Sequence, residues 1–124
     1  MGINAVAESY ADIENTNFGI HQPSSLKKGP GTFKDGKLLY KDIVDNYQPP
    51  NCDPSHWDDA TKSTSIYCSI GKVWISPQLA ADVLAKATYV KSDLPLAGMM
   101  IWHLGADKQN EKSLLHVIAM SLGR

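Results

Sequence analysis

Trp102 closes an apolar run, Ala97-Gly98-Met99-Met100-Ile101-Trp102, and is followed by His103, Leu104 and Gly105. Large apolar residues without polar alternation suit a strand buried on both faces, as in a parallel α/β sheet. Such strands deliver binding and catalytic side chains at their carboxyl ends. The indole of Trp102 is either a flat platform for a ligand or a core aromatic, and the spacing leaves both open. Trp57, Trp74, Tyr40 and Tyr67 carry the same double reading. His103 points to the other side of the strand and has no partner that would make an acid–base pair, so it reads as a structural histidine. The carboxylates group as Asp53 with Asp58 and Asp59 in a turn-rich stretch, and as Asp42 with Asp45 on a short helix. Cys52 and Cys68, the only two cysteines, are either a disulfide, stabilising by roughly 3 kcal/mol, or two separate thiols; sequence carries no geometry to decide. Cys52 and His56 lack the paired short spacings of a structural zinc site. No metal and no cofactor are expected.

Residues 2–7 form a strand candidate, and the polar stretch 12–31 reads as a long loop. Over 38–47, Leu39, Ile43 and Tyr47 repeat every four positions and predict a short helix, which Pro49-Pro50 stops. Residues 51–62 are a second loop. Residues 65–69 and 72–75 flank Ile70-Gly71 and predict a hairpin. Ser76 then caps a helix over 77–91 with Pro77 in its first position; Leu79, Ala80, Val83, Leu84, Ala87 and Val90 are its apolar face. Pro95 precedes the buried strand 96–104, where Met99 and Met100 fill core. Asn110 or Glu111 opens a last helix with Leu114, Leu115, Ile118 and Leu122 on one face, His116 towards solvent and Gly123 at its end. The order is strand, small α+β unit, helix, strand, helix, with the right-handed crossover that parallel strands require. Two parallel strands and their helices leave one sheet face bare. The chain should therefore lean on another polypeptide, an upstream segment or a copy of itself, through Val6, Met99 and Ile101 or Met100.

Three segments, in order, resemble glycoside hydrolase family 18, the chitinase family. Residues 96–102, then Asp107 and Ser113-Leu114-Leu115, are similar to its last barrel strand and helix. Gly29-Pro30-Gly31-Thr32-Phe33 through Gly36-Lys37-Leu38-Leu39-Tyr40-Lys41-Asp42-Ile43 resembles the start of its inserted small domain. Lys72-Val73-Trp74-Ile75-Ser76 running into 84–91 resembles that insertion's end and the seventh helix, and Gly2-Ile3-Asn4-Ala5-Val6-Ala7 the seventh strand. The resemblance implies an α/β fold, the carboxyl-terminal portion of a (β/α)8 TIM barrel with an inserted α+β subdomain. It implies barrel strand and loop over 1–21, insertion over 22–76, and the closing helix-strand-helix over 77–124. It implies a chitin or N-acetylglucosamine oligosaccharide as partner, with Trp102, Trp74, Tyr40 and Tyr67 as its contacts. It also implies secretion, which would favour a Cys52–Cys68 disulfide.

The family's catalytic run, Asp-x-x-Asp-x-Asp-x-Glu, does not occur in these residues. Its chemistry uses the substrate's own N-acetyl group as nucleophile and the run's Glu as acid, so the stretch is expected to be inactive by itself. Where many chitinases carry Tyr-Gly-Arg, this chain reads Val6-Ala7-Glu8, which removes a sugar-contacting Arg. A complete barrel takes roughly 250 residues, against 124 here. The expected role is thus part of a chitinase that lines the sugar groove. The alternatives are a non-catalytic oligosaccharide-binding or assembly module of a larger complex, or a free-standing α/β protein without a sugar. A net charge of -1 with no basic block argues against nucleic acid and anionic membrane as partners. No apolar run is long enough to span a bilayer, and any export signal is expected upstream.

Overall fold

A computed structural model describes residues 1–93 and 96–123. The chain opens with β1 (Gly2–Asn4) and, after Ala5, β2 (Val6–Tyr10). There follow β3 (Lys37–Leu39), α1 (Tyr40–Asn46), β4 (His56–Asp58), β5 (Ser63–Cys68) and β6 (Val73–Ser76). The last elements are α2 (Ala80–Ser92), β7 (Met100–Trp102) and α3 (Leu114–Ser121). β1 and β7 form a parallel pair, and the other five strands form an antiparallel sheet in the order β3-β2-β6-β5-β4. The fold is α/β.

Ala5 explains why residues 2–7 are two strands rather than the expected one. Its N–H donates to Trp102 O of β7 at 2.7 Å, while its carbonyl accepts from Tyr40 N at 2.9 Å. The chain thereby crosses from the parallel pair to the antiparallel sheet at a buried alanine. The second sheet accordingly begins at Val6, ahead of the insertion boundary expected at residue 22. Leu38 and Leu39 pair with β2, so the helix expected over 38–47 starts only at Tyr40. The loop expected over 51–62 contains β4, paired with β5.

One core lies between the parallel pair and helices α2 and α3, and includes Ile3, Val6, Val83, Leu114 and Ile118. The other covers one face of the five-stranded sheet, with Leu38, Ile43, Ile66, Val73 and Ile75. Alternation along the strands sends Glu8, Tyr10, Trp74 and Ser76, which lie opposite one another in the register, to the other face. The disulfide Cys52–Cys68 ties the segment after α1 to the end of β5.

Two buried carboxylates set the helix starts. Asp82, with no solvent exposure, accepts from Leu79 N at 2.9 Å, and from Thr64 N and Thr64 Oγ1 at 2.7 and 2.6 Å. It caps α2 and pins it to β5, so the helix begins at Ala80, while Ser76, expected as the cap, is the last residue of β6. Asp107 accepts from Leu114 N at 2.8 Å and Leu115 N at 3.0 Å, which places the start of α3 at Leu114 rather than at 110 or 111. A carboxylate there also meets the positive end of the helix dipole.

The strand expected over 96–104 is ordered as a ladder only over Met100–Trp102, and Pro95 lies outside the described residues. It is not covered on both faces by this chain: Met100 is 57% and Trp102 47% exposed. Met100 is therefore no core filler here. Val6, expected at an uncovered face, is buried in the chain's own core, and Leu84 and Leu115 are exposed rather than in the apolar helix faces.

Candidate sugar-facing site

Asn4 and Trp102 stand opposite each other at the carboxyl ends of the parallel pair. Phe33 meets the Trp102 indole edge-on, with ring centroids 6.0 Å apart and planes at 89°. His103, joined to Trp102 by a cis peptide bond, is a second edge contact at 4.8 Å and 76°. T-shaped contacts of this kind stabilise an aromatic cluster. His103 is thus a packing partner of the exposed indole.

The Gly29-Pro30-Gly31 turn positions Phe33. Ser9 Oγ donates to Pro30 O at 2.6 Å, and a Cβ at Gly31 would stand 1.8 Å from Lys34 O, so only glycine fits there. Thr32 N and Phe33 N both donate to Lys37 O, at 3.0 and 3.1 Å. Lys37 in turn pairs through its ammonium with Glu8, its cross-strand neighbour. Glu8 is therefore held by a cation on β3.

A polar hollow of about 360 Å³ lies beyond Trp102, between α1 and the segment 104–110. Two of its three carboxylates, Asp45 and Asp107, are engaged. Asp45 pairs with Lys108 at 2.8 Å, and Asp107 accepts from Ser113 Oγ at 2.8 Å besides the α3 amides. In the other acidic group, Asp58 and Asp59 are committed too. Asp58 accepts from Thr61 Oγ1 at 2.7 Å and Ala60 N at 3.1 Å, and the Thr61 bond leads in holding its carboxyl below the usual range. Asp59 is lowered chiefly by its bond from Lys62. Acids held low in this way suit no proton-donating role at neutral pH. Among the described residues, no group of three or more His, Cys, Asp or Glu is placed to hold a metal ion.

Two predicted contacts are core residues instead. Tyr40 is buried and its hydroxyl donates to Lys112 O at 2.8 Å; burial, and then the nearby Asp107 carboxylate, push its pKa up to about 12. Tyr67 is buried and donates to Ile13 O at 2.8 Å, with burial the first cause of its raised pKa. Neither hydroxyl is free for a sugar. Trp74 is half-buried on the outer face of β6, its ring centroid 6.3 Å from that of Tyr10, and shares no aromatic contact with Trp102. Trp57 lies on β4 with its Nε1 3.4 Å from Asp59 Oδ1. The structure thus assembles Trp102, Phe33 and His103 and leaves the other candidates apart. Phe33 was not singled out as a site residue from sequence; the Gly-Pro-Gly turn just before it is the signal that could have found it.

No family model matches the sequence. Chitinase A1 of Niallia circulans is 31% identical over 108 residues, 87% of this chain. The chain spans 15% of that relative's length. A glycoside hydrolase family 18 N-acetylglucosaminidase from Paenibacillus barengoltzii superposes with a TM-score of 0.79 at 24% identity, over 98% of this chain and 32% of that one. YKL-39, solved in the presence of chitooligosaccharides, superposes with a TM-score of 0.83 at 22% identity, over 100% of this chain and 35% of that one. Over nearly its whole length the chain is similar to chitinases and to glycoside hydrolase family 18 structures, matching a part of those proteins rather than their whole length.

Proposed function

We propose that the chain is the carboxyl-terminal part of a family 18 (β/α)8 barrel protein and walls its chitin-oligosaccharide groove. In this reading the parallel pair with α2 and α3 belongs to the barrel, and β2 joins residues 22–76 in the inserted subdomain. Trp102 carries one N-acetylglucosamine ring on its indole face. The observation that supports this is an indole 47% exposed at the carboxyl end of a parallel strand, in T-shaped contact with Phe33 and His103. Hydrolysis of β-1,4 linkages then belongs to the whole protein, because the acid-bearing run is absent from these residues. Export of that whole protein accords with its disulfide. The Glu8–Lys37 pair favours a second reading, in which the groove wall is retained for binding or assembly without catalysis.

One stacked ring contributes about 1 kcal/mol beyond its buried area, so the isolated chain should bind chitotriose with a Kd of roughly 1 mM or weaker. Calorimetric titration tests this. Trp102→Ala should reduce the heat of binding by the share that the Trp102 platform contributes; an unchanged isotherm in that variant would return Trp102 to a structural role. No reporter should be released from chitobiose or chitotriose substrates by the chain alone.

A further inference from the structure

Ser65 Oγ and Trp74 Nε1 are buried side-chain polar atoms without hydrogen-bond partners among the described residues. Both lie on the outer face of the five-stranded sheet, since Tyr67 pairs with Trp74 and Ser65 is two residues before Tyr67. Buried polar atoms are nearly always paired, so two orphans in one neighbourhood call for an explanation. Two adjoining hollows are found there. The larger, about 340 Å³, is walled by Trp74, Tyr10, Ile13 and Leu26 and edged by Gln22 and Ser24. The smaller, about 200 Å³, shares Trp74 with it and is lined by Ser65.

The indole is held firmly. A Cβ at Gly19 would stand 2.6 Å from Trp74 Cδ1, so the 17–21 segment lies directly against the ring. That segment keeps Asn17, Phe18, Gly19 and His21 at φ of 50°, 56°, 76° and 59°, a conformation that costs free energy in non-glycine residues. The result is an aromatic wall with a polar rim.

We propose that the hollow beside Trp74 is a second saccharide subsite, separate from Trp102, that takes one pyranose ring. The C–H face of the ring stacks on Trp74, and its hydroxyl or acetamido groups meet Gln22 and Ser24. The volume is at the lower end of small-molecule sites, and an apolar lining with a few placed polar groups is their usual composition. Gln22 Nε2 donates to Ile20 O at 3.1 Å and Ser24 Oγ accepts from Leu26 N at 3.0 Å. This leaves the Gln22 amide oxygen and the Ser24 hydroxyl proton for a polar ligand group, while a wholly polar ligand leaves the aromatic wall unused. The choice of N-acetylglucosamine as the sugar rests on the groove reading of Trp102; the subsite itself rests on the hollow and on the unpaired Nε1 of the Trp74 that walls it.

The full chain labelled with 5-fluorotryptophan gives one fluorine resonance for each of its 3 tryptophans, assigned by single Trp→Phe variants. Chitotriose titration should shift the Trp74 resonance saturably, and should still do so in Trp102→Ala. Ser24→Phe, at an exposed rim position, should fill the hollow and suppress the Trp74 shift while leaving the Trp102 response intact. Gln22→Ala should weaken the Trp74 titration by about tenfold, the loss of one good hydrogen bond. A Trp74 resonance that stays fixed at sugar concentrations saturating Trp102, or a shift unaffected by both rim variants, would overturn the proposal. A fixed Trp102 with a responding Trp74 would instead sink the groove reading and leave this subsite standing.

Discussion

Phe33, in the turn between β2 and β3, packs against Trp102 at the end of β7, with ring planes at 89°. The contact joins the Gly-Pro-Gly segment of one sheet to the carboxyl end of a strand in the other. In the groove reading this contact orients the indole for a ligand. Phe33 itself is largely exposed, so its removal should leave stability within about 0.5 kcal/mol of the parent. Phe33→Ala should weaken chitotriose binding by about 3- to 10-fold, the range of one aromatic pair. Equal affinity in parent and variant would show that the brace is irrelevant to the platform.

The bare side of the parallel pair has consequences in solution. Met100, Trp102 and Leu104 are all exposed around one strand end, and each large apolar side chain left in water forgoes roughly 1.5–3 kcal/mol. The 124-residue chain should therefore self-associate at high micromolar concentration. Sedimentation velocity checks this, and Met100→Lys should shift the distribution towards monomer. A single sharp monomer boundary with cooperative unfolding would show that the chain closes its own core.

Asp82 should be the most sensitive buried carboxylate. Its three acceptor contacts join α2 to β5 with no solvent in reach. Asp82→Asn turns one oxygen into a donor that faces other donors, so it should cost about 2–3 kcal/mol in urea unfolding. Thr64→Val, which removes only the hydroxyl bond, should cost less.

Which of these features sequence made legible follows from the range of the interactions involved. The disulfide partners, the parallel strand pair, the hairpin and both long helices are written in local apolar spacing or in residue counts. The helix starts are not, because Asp82 and Asp107 reach their amides through tertiary placement and their carboxylates look like ordinary surface charge in the sequence. Tyr40 and Tyr67 carry the same aromatic signal as Trp102. What separates them is that their hydroxyls find backbone carbonyls of distant segments, Lys112 and Ile13. Phe33 was hidden for the converse reason: an exposed phenylalanine has no period, and only its contact with Trp102 gives it a role.

Tyr40 makes stability fall at alkaline pH. Its folded pKa, about 12, is above the unfolded value near 10. The unfolded chain therefore releases the phenolic proton first, and stability declines as pH rises from 10 towards 12, by at most about 1.4 kcal/mol per pH unit. Tyr40→Phe should lose about 1 kcal/mol at neutral pH with the hydroxyl bond to Lys112. Its stability should then decline less steeply than the parent's above pH 10 in urea titrations; parallel curves would place the ionisation elsewhere.

A crystal structure of the chain with chitotriose tests the groove reading most directly. The expected result is a pyranose ring lying parallel to the Trp102 indole on a face that Phe33 and His103 leave free. Sugar bound elsewhere with Trp102 bare, or an indole packed into the protein and closed to ligand, would contradict it.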